Sequence, residues 1–126
     1  MPNIKVLIVE DEIIIAMDIK HTVENLGIHA SDIISSGEES VKKAFEVRPH
    51  LVLMDIKLSG KMDGISAAET IYKKTRIPSI FLTAYNDEQT LQRIHKNPQF
   101  FSLTKPFSEH ELTDSIDKTK EKFNLS

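Results

Sequence analysis

The chain has 126 residues, of which 40% are hydrophobic and 28% charged, so it can bury one compact core but is too short for two domains. Its formal charge of -3 and pI of about 5.9 argue against direct binding to nucleic acid, which usually requires a basic face. Cysteine is absent, which excludes disulfides and thiolate chemistry, and no apolar stretch approaches the ~20 residues of a membrane span. We therefore expect one cytoplasmic domain over residues 1–126 that contacts no membrane.

Short β-branched runs alternate with longer segments of helical period, which predicts repeated strand–helix units on a parallel sheet. The first strand is predicted over Val6 to Val9. A helix is predicted over residues 12–26, and Gly27 can end it in a left-handed turn. One face of this helix carries Ala16, Ile19, Val23 and Leu26. A second strand is predicted over residues 28–34.

The second and third helices have recognisable amino-terminal caps. Ser36 and Glu39 have the S-x-x-E spacing of a capping box, and Pro49 prevents this helix from continuing. Its inner face is expected to carry Val41, Ala44 and Phe45. Leu51 to Met54 form an apolar run that suits a strand buried on both faces. Asp63 can cap the third helix, whose inner face is expected to carry Ile65, Ala68, Ile71 and Tyr72.

The fourth strand and helix follow Pro78. The strand is predicted over Ser79 to Leu82. Asn86 and Gln89 have the spacing of a capping box for a short, polar fourth helix. This helix has few apolar residues with which to anchor itself, namely Leu91 and Ile94, and we expect it to be weakly held.

The last strand and helix come after Pro98. The strand is predicted over Phe100 to Thr104, and Ser108 and Glu111 have the spacing of another capping box. The apolar face of the final helix carries Leu112, Ile116, Thr119 and Phe123.

Four of the predicted strands stop at polar residues. These are Glu10 and Asp11 after the first strand, Asp55 after the third, Thr83 after the fourth and Lys105 after the fifth. Because the carboxyl ends of parallel strands meet at one edge of a sheet, where open α/β sheets bind ligands, these side chains should converge. Each is a weak signal alone, since an isolated aspartate after a strand is more often a turn residue. Their joint placement favours a functional site.

This set of side chains suits a divalent cation and a transferable phosphoryl group. Mg²⁺, or Mn²⁺ in its place, prefers oxygen ligands, which Glu10, Asp11 and Asp55 can supply. Lys105 as a point charge and Thr83 as a hydroxyl donor can neutralise and orient phosphoryl oxygens. A carboxylate is a competent nucleophile for this transfer, and Asp55 is the expected acceptor.

In these motifs the chain resembles the receiver domains of two-component response regulators, with a core over about residues 4–123. The resemblance rests on Val9–Glu12, Leu53–Ile56, Asp63–Gly64, Leu82–Ala84 and Lys105–Phe107. It implies a doubly wound α/β fold of the flavodoxin type. Such a fold has a five-stranded parallel sheet in the order 2-1-3-4-5, with helices on both faces.

The resemblance also implies a role for each site residue. Asp55 would accept a phosphoryl group from a histidine of a sensor kinase or of a phosphotransfer protein, and would lose it by slow self-catalysed hydrolysis. Thr83 and Lys105 would bind the phosphoryl oxygens. The Mg²⁺ ligands would be Glu10, Asp11, Asp55 and the main-chain carbonyl of Lys57.

Further implications concern rate and output. Lys57 and Tyr85, near the pocket mouth, would tune the hydrolysis rate, and the bond between Lys105 and Pro106 is one that is often cis in receivers. The fourth helix, fifth strand and fifth helix would contact an output domain or a second copy of the chain. A receiver is a phosphoacceptor signalling domain and not an enzyme in the usual sense.

Two positions depart from the family pattern. Three residues before Lys105, receivers usually have a tyrosine or phenylalanine that moves with the threonine, and this chain has Ser102. Either a one-residue shift lets Phe101 serve, or the aromatic half of the switch is absent. The loop after Asp55 carries Ser59 where proline is common and is one residue longer than the shortest form, which we expect to alter loop shape more than chemistry.

Three other functions compete with this interpretation. A flavin-binding carrier shares the sheet but needs a hydroxyl- and glycine-rich phosphate loop after the first strand, where this chain is acidic. A phosphatase of the haloacid dehalogenase type places its nucleophile on the first strand in an Asp-x-Asp motif, whereas Asp55 follows the third. A degenerate receiver, acting as a phosphorylation-independent protein-binding module, is kept open by Ser102.

Overall fold

Strands and helices alternate along the whole chain in the computed structural model, which describes residues 4–84 and 88–125. Short apolar runs form the strands, and amphipathic segments of period 3.6 form the helices between them. In chain order the elements are β1 (Lys5–Val9), α1 (Ile13–Asn25), β2 (His29–Ile34), α2 (Gly37–Val47), β3 (Leu51–Asp55), α3 (Gly64–Thr75), β4 (Ser79–Thr83), α4 (Glu88–His95), β5 (Phe101–Thr104) and α5 (Glu109–Lys122).

The strands form one five-stranded sheet in the order β2-β1-β3-β4-β5, and every neighbouring pair is parallel. The predicted flavodoxin-like, doubly wound sheet is therefore confirmed. The order reverses between β1 and β3, so the crevice outside their carboxyl ends lies at a topological switch point.

Helices cover both faces of the sheet, and the sheet divides the interior into two apolar layers. Successive residues of β1 point to opposite faces, so Val6 and Ile8 enter one layer while Leu7 and Val9 enter the other. The first layer receives buried residues of α1 and α5, including Ala16, Ile19, Leu112 and Ile116. The second receives buried residues of α2, α3 and α4, including Ala44, Ile65, Ile71 and Ile94.

Three predicted helix caps are confirmed. The side chain of Ser36 accepts from the amide of Glu39, but the Glu39 carboxylate accepts from the Ser36 hydroxyl, so this cap is not a full capping box; the side chain of Asp63 accepts from the amide of Ser66 at 2.9 Å. Ser108 begins α5 with both hydrogen bonds of a capping box. The box predicted at Asn86 lies outside the described residues.

Some boundaries and orientations differ from the predictions. β3 and β4 each extend one residue further, so Asp55 and Thr83 are the last residues of their strands. Phe45, predicted on the inner face of α2, is instead 36% exposed, and its ring centroid lies 5.9 Å from the ammonium of Lys74, a cation–π contact available to a ring at the surface. The Lys105–Pro106 bond is cis. Among the described residues, none of the helices combines the length and apolar character needed to cross a bilayer.

Candidate functional site

The carboxyl edge of the sheet brings the predicted site residues together. Asp55 and Thr83 end neighbouring strands, and Glu10 follows β1 directly. All three are buried, with exposed fractions of 6%, 3% and 2% respectively. The amide of Lys105 donates to the carbonyl of Thr83 at 2.7 Å, which brings the residue after β5 to the same edge.

Three carboxylates form a compact cluster at this edge. One oxygen from each of Glu10, Asp11 and Asp55 lies within 4.8 Å of the others. Asp11 is exposed at the rim, whereas the other two are buried. Mg²⁺ and Mn²⁺ prefer such hard oxygen donors and keep several water ligands. The donor set and its open side therefore fit one of these ions.

Lys105 places its ammonium between two of the carboxylates. Nζ lies 2.7 Å from Oε1 of Glu10 and 3.3 Å from Oδ1 of Asp55. Its side chain is 18% exposed, so both contacts are shielded from bulk water. This ion pair offsets part of the repulsion within the acidic cluster.

The cluster shifts the protonation of its members in opposite directions. Burial, together with the hydrogen bond and charge of Glu10, raises the pKa of Asp55 to about 7, against the opposing charge and hydrogen bond of Lys105. Burial acts in the same direction on Glu10, but its contacts with Asp55 and Lys105 outweigh burial and hold the pKa of Glu10 below its ordinary value. Burial lowers the pKa of Lys105, but Glu10 and Asp55 outweigh it and raise that pKa overall. A proton is therefore retained more readily on Asp55 than on Glu10.

Gly64 fixes the end of the loop that follows Asp55. Its amide donates to the carbonyl of Ile56 at 2.8 Å. A Cβ at this position would lie 1.9 Å from the carbonyl oxygen of Asp55, so a side chain cannot be accommodated without moving the end of β3. Sequence reasoning assigned Asp63–Gly64 to a loop and cap, and did not detect this packing of α3 on the backbone of Asp55.

A crevice of about 380 Å³ opens onto the cluster and is lined in part by Asp11, Asp55, Lys57, Ser59 and Lys105. Lys57 lies at its rim with an exposed side chain. The hydroxyl of Ser59 donates to Oδ2 of Asp11 at 3.3 Å, a contact that sequence reasoning missed because the two residues are far apart in the chain. Tyr85, the other predicted rate-tuning residue, lies outside the described residues.

The alternation of side chains along β5 shows whether Phe101 can lie where receivers usually have an aromatic residue, at the position of Ser102. Leu103 lies in the layer under α1 and α5, and Phe100 lies in the opposite layer, against Phe81. Phe101 therefore shares the face of Leu103, while Ser102 is exposed on the other face. A one-residue shift moves a side chain to the opposite face, so Phe101 does not occupy the position of Ser102.

Known proteins are similar to this chain in both sequence and fold. A family model described as the response regulator receiver domain matches residues 6–117. The transcriptional regulatory protein PdtaR of Mycobacterium tuberculosis is 34% identical over 119 residues, which cover 94% of this chain and 58% of that protein. The phyllosphere-induced regulator PhyR of Methylorubrum extorquens is 39% identical over 104 residues, which cover 82% of this chain and 38% of that protein. The match therefore spans less than two thirds of either relative.

A solved structure is similar over nearly the full chain. The signal receiver domain of a modulated diguanylate cyclase from Desulfovibrio desulfuricans G20 has a TM-score of 0.89 and 33% identity, and the match covers 99% of this chain and 100% of that one.

Proposed function

The chain belongs to the response regulator receiver domain family, and on that premise we propose that Asp55 accepts a phosphoryl group from a phosphohistidine of a sensor histidine kinase or of a phosphotransfer protein. The observation that carries this proposal is the contact of the Lys105 ammonium with both Glu10 and Asp55 at the mouth of a crevice. We further propose that residues 1–126 form a single receiver domain with its core over about residues 4–123.

In the proposed transfer, a carboxylate oxygen of Asp55 attacks the phosphorus atom while the phosphorus–nitrogen bond to the donor imidazole breaks. The electron pair of that bond stays on the imidazole nitrogen, which takes up a proton from solvent. The donor histidine therefore leaves as a neutral side chain. Charge on the transferring group is spread over three oxygens, so the protein contributes mainly by positioning and charge neutralisation. The ammonium of Lys105 lies 3.3 Å from Asp55 and is therefore suited to neutralise the negative charge on the oxygens of the transferring group.

The proposed metal ligands are Glu10, Asp11, Asp55 and the main-chain carbonyl of Lys57. A bound Mg²⁺ or Mn²⁺ would supply positive charge that neutralises both the acidic cluster and the incoming phosphoryl oxygens. Asp55 must lose its retained proton before it can act as a nucleophile, and a nearby cation favours that loss.

Thr83 and Lys57 have proposed roles around the phosphoryl group. Thr83 is buried at the end of β4, one residue after Leu82, which is the sheet partner of Asp55 on β3. Its hydroxyl would donate to a phosphoryl oxygen. Lys57 and Tyr85 would adjust the access of water and thereby the rate of slow self-catalysed hydrolysis.

The surface beside the crevice is suited to a donor protein. Two large apolar side chains at the start of α1, Ile13 and Ile14, are 61% and 82% exposed. A groove of about 490 Å³ runs from α1 to Lys105 and is lined in part by Ile15, Pro106 and Phe107. We propose that the phosphohistidine-bearing protein docks here, because an apolar rim would hold it while its imidazole enters the crevice.

The proposed output surface consists of α4, β5 and α5, which would contact an output domain or a second copy of the chain. We propose a cytoplasmic location, no direct nucleic-acid contact and no membrane contact for this domain. Sedimentation of the protein with and without trifluoroberyllate and Mg²⁺ would show whether the second copy is the partner.

Intact-mass measurement after incubation with acetyl phosphate and Mg²⁺ tests the phosphoacceptor proposal. We expect wild type to gain the mass of one phosphoryl group, and Asp55→Asn or excess EDTA to abolish the gain. The proposal fails if wild type gains no mass, or if Asp55→Asn gains as much as wild type.

A second candidate function is a degenerate receiver that binds partners without phosphorylation. It is favoured by one observation, the exposed Ser102 at the position where receivers usually have an aromatic residue. Under this alternative, partner binding would be equally tight before and after treatment with trifluoroberyllate and Mg²⁺.

A further inference from the structure

The loop after the phosphoacceptor strand is held by the first turn of a neighbouring helix. The carboxylate of Glu38, the second residue of α2, accepts from the backbone amide of Lys61 through Oε2 at 3.1 Å. Hydrogen bonds from its own amide and from those of Lys61 and Met62 lower the pKa of Glu38, so the carboxylate stays charged. The Glu38 side chain thus binds the main chain of the loop, and no pattern of side chains in the sequence would indicate such a contact.

Two further contacts bring the same segments together. Ser36 and Ser59 form an isolated parallel β-bridge. Gly37 packs against the carbonyl of Met62 so closely that a Cβ there would lie 2.5 Å from that oxygen. Residues 36–38 and residues 59–62 are therefore joined by backbone and side-chain contacts, which we call the α2 clasp.

The α2 clasp reaches the acidic cluster through one hydroxyl. Ser59, at the start of the clasped segment, donates to Oδ2 of Asp11 at 3.3 Å. The other end of the loop is fixed by Gly64 against the backbone of Asp55. The loop from Ile56 to Asp63 is therefore fixed at its end by α3 and in its middle by Glu38.

We propose that Glu38 is a positioning residue for the metal site. It holds the backbone of residues 59–62 so that Ser59 orients the Asp11 carboxylate and Lys57, two residues before Ser59, stays beside Asp55. The inference rests on the proposed function, because it assigns Glu38 a role in Mg²⁺ binding by the same cluster. Hydrogen-bonded neighbours of metal ligands commonly change metal affinity by tenfold or more when they are removed.

A simpler role for Glu38 must be distinguished from this one. Any acidic residue in the first turn of a helix interacts favourably with the helix dipole, and its charge would also attract a cation at long range. Glu38→Asp keeps the charge but shortens the side chain by one methylene, so it cannot reach the Lys61 amide in the same way. Glu38→Gln removes the charge but keeps an acceptor oxygen at the same reach. Glu46→Gln removes an exposed charge from the same helix and serves as the matched control.

The test measures two quantities on metal-free protein: the exchange rates of the Lys61 and Met62 amides, and the Mg²⁺ dissociation constant by titration calorimetry. We expect Glu38→Asp to speed exchange of both amides and to weaken Mg²⁺ binding, each by about tenfold. Glu38→Gln should have a smaller effect on both, and Glu46→Gln none. Ser59→Ala should weaken Mg²⁺ binding without changing exchange at Lys61, because it breaks the link to Asp11 and leaves the α2 clasp intact.

The outcomes separate this inference from the proposed function. If wild type binds Mg²⁺ and is phosphorylated on Asp55 but Glu38→Asp binds Mg²⁺ equally well, the positioning role is wrong and the proposed function stands. If Glu38→Gln is impaired more than Glu38→Asp, charge rather than reach is responsible, and the inference is again overturned. If wild type binds no Mg²⁺, both fail together.

Discussion

Arg93 of α4 forms a bidentate ion pair with Asp63, the residue whose carboxylate also caps α3. Nη2 of Arg93 lies 3.1 Å from Oδ1 of Asp63 and 3.2 Å from the hydroxyl of Ser66, while Nη1 contacts Oδ2. Burial raises the pKa of Asp63, but Arg93 and the Ser66 amide outweigh it, so that pKa lies below its ordinary value. The helix that sequence reasoning expected to be weakly held is therefore attached to α3 by charge, with Ile94 as its buried apolar residue.

Arg93→Ala should loosen α4 without impairing the acceptor site. The pair is about two fifths exposed, so we expect a loss of only ~0.5–1 kcal/mol in the free energy of unfolding. Amide exchange within α4 should nevertheless accelerate, because α4 buries little apolar surface of its own. Asp63→Asn provides the matched variant, since asparagine keeps the α3 cap but loses the ion pair. Unchanged exchange in α4 for both variants would show that the ion pair does not anchor the helix.

The stability of the metal-free protein should fall as pH rises toward neutrality. Asp55 has an ordinary pKa of 3.8 and a folded-state pKa of about 7, so between these values the native state holds a proton that the unfolded chain has lost. Native stability from this group therefore decreases across that range and is constant above it. Asp55→Asn removes the effect, so its stability relative to wild type should increase by about 2 kcal/mol from pH 5 to pH 7.

Urea unfolding in EDTA at several pH values checks this expectation. Comparison with Asp55→Asn cancels contributions from groups that both proteins share. Parallel pH profiles for the two proteins would contradict a raised pKa at Asp55.

Mg²⁺ should stabilise the folded protein through the acidic cluster. At ten times its dissociation constant it should add about 1.4 kcal/mol to the free energy of unfolding, because it binds only the folded site. Asp11→Asn should lose this increment. Glu12→Gln is the control, because Glu12 is the exposed neighbour of Asp11 and lies outside the cluster. Equal stabilisation of Asp11→Asn and wild type would place the ion elsewhere.

Lys105→Gln should slow phosphorylation by acetyl phosphate by about 10²-fold, since it removes the cation aimed at the developing phosphoryl charge. It should also raise the pKa of Asp55 further, because the charge of Lys105 opposes that shift in wild type. The two effects are separated by measuring the rate across pH with saturating Mg²⁺. Lys96→Gln, at an exposed site, should retain the wild-type rate. A wild-type rate for Lys105→Gln would remove Lys105 from the proposed mechanism.

Substitution of the two adjacent phenylalanines should have different consequences. Phe100 is buried in edge-to-face contact with Tyr72 and Phe81, so Phe100→Ala should cost about 3–5 kcal/mol of stability. Phe101 is only half-buried and lies near the Lys122 ammonium, so Phe101→Ala should cost about 1 kcal/mol. Phe101 does not occupy the face of Ser102. Its removal should therefore leave trifluoroberyllate binding intact, together with any change in backbone amide exchange that this binding causes in wild type. Loss of those changes in Phe101→Ala would restore it as the switch aromatic.

Much of the architecture follows from local sequence signals. Runs such as Leu51–Met54 suit strands buried on both faces, and polar caps such as Ser36 and Ser108 mark where helices begin. Strand ends followed by Glu10, Asp55 and Lys105 indicate a shared edge because parallel strands point the same way. These signals depend on residues close in the chain, or on the common direction of the strands, so no tertiary contact was needed to detect them.

Only the tertiary structure decided how distant segments meet. The clasp of Glu38 on the Lys61 amide and the pairing of Arg93 with Asp63 join residues more than twenty positions apart, and the first of them uses a backbone group that every residue except proline possesses. The raised pKa of Asp55 likewise depends on burial and on Glu10, neither of which is a local property. Sequence therefore determined which elements form and at which edge of the sheet the candidate site residues meet, while three-dimensional packing set the protonation of Asp55 and the contacts that hold its loop and α4.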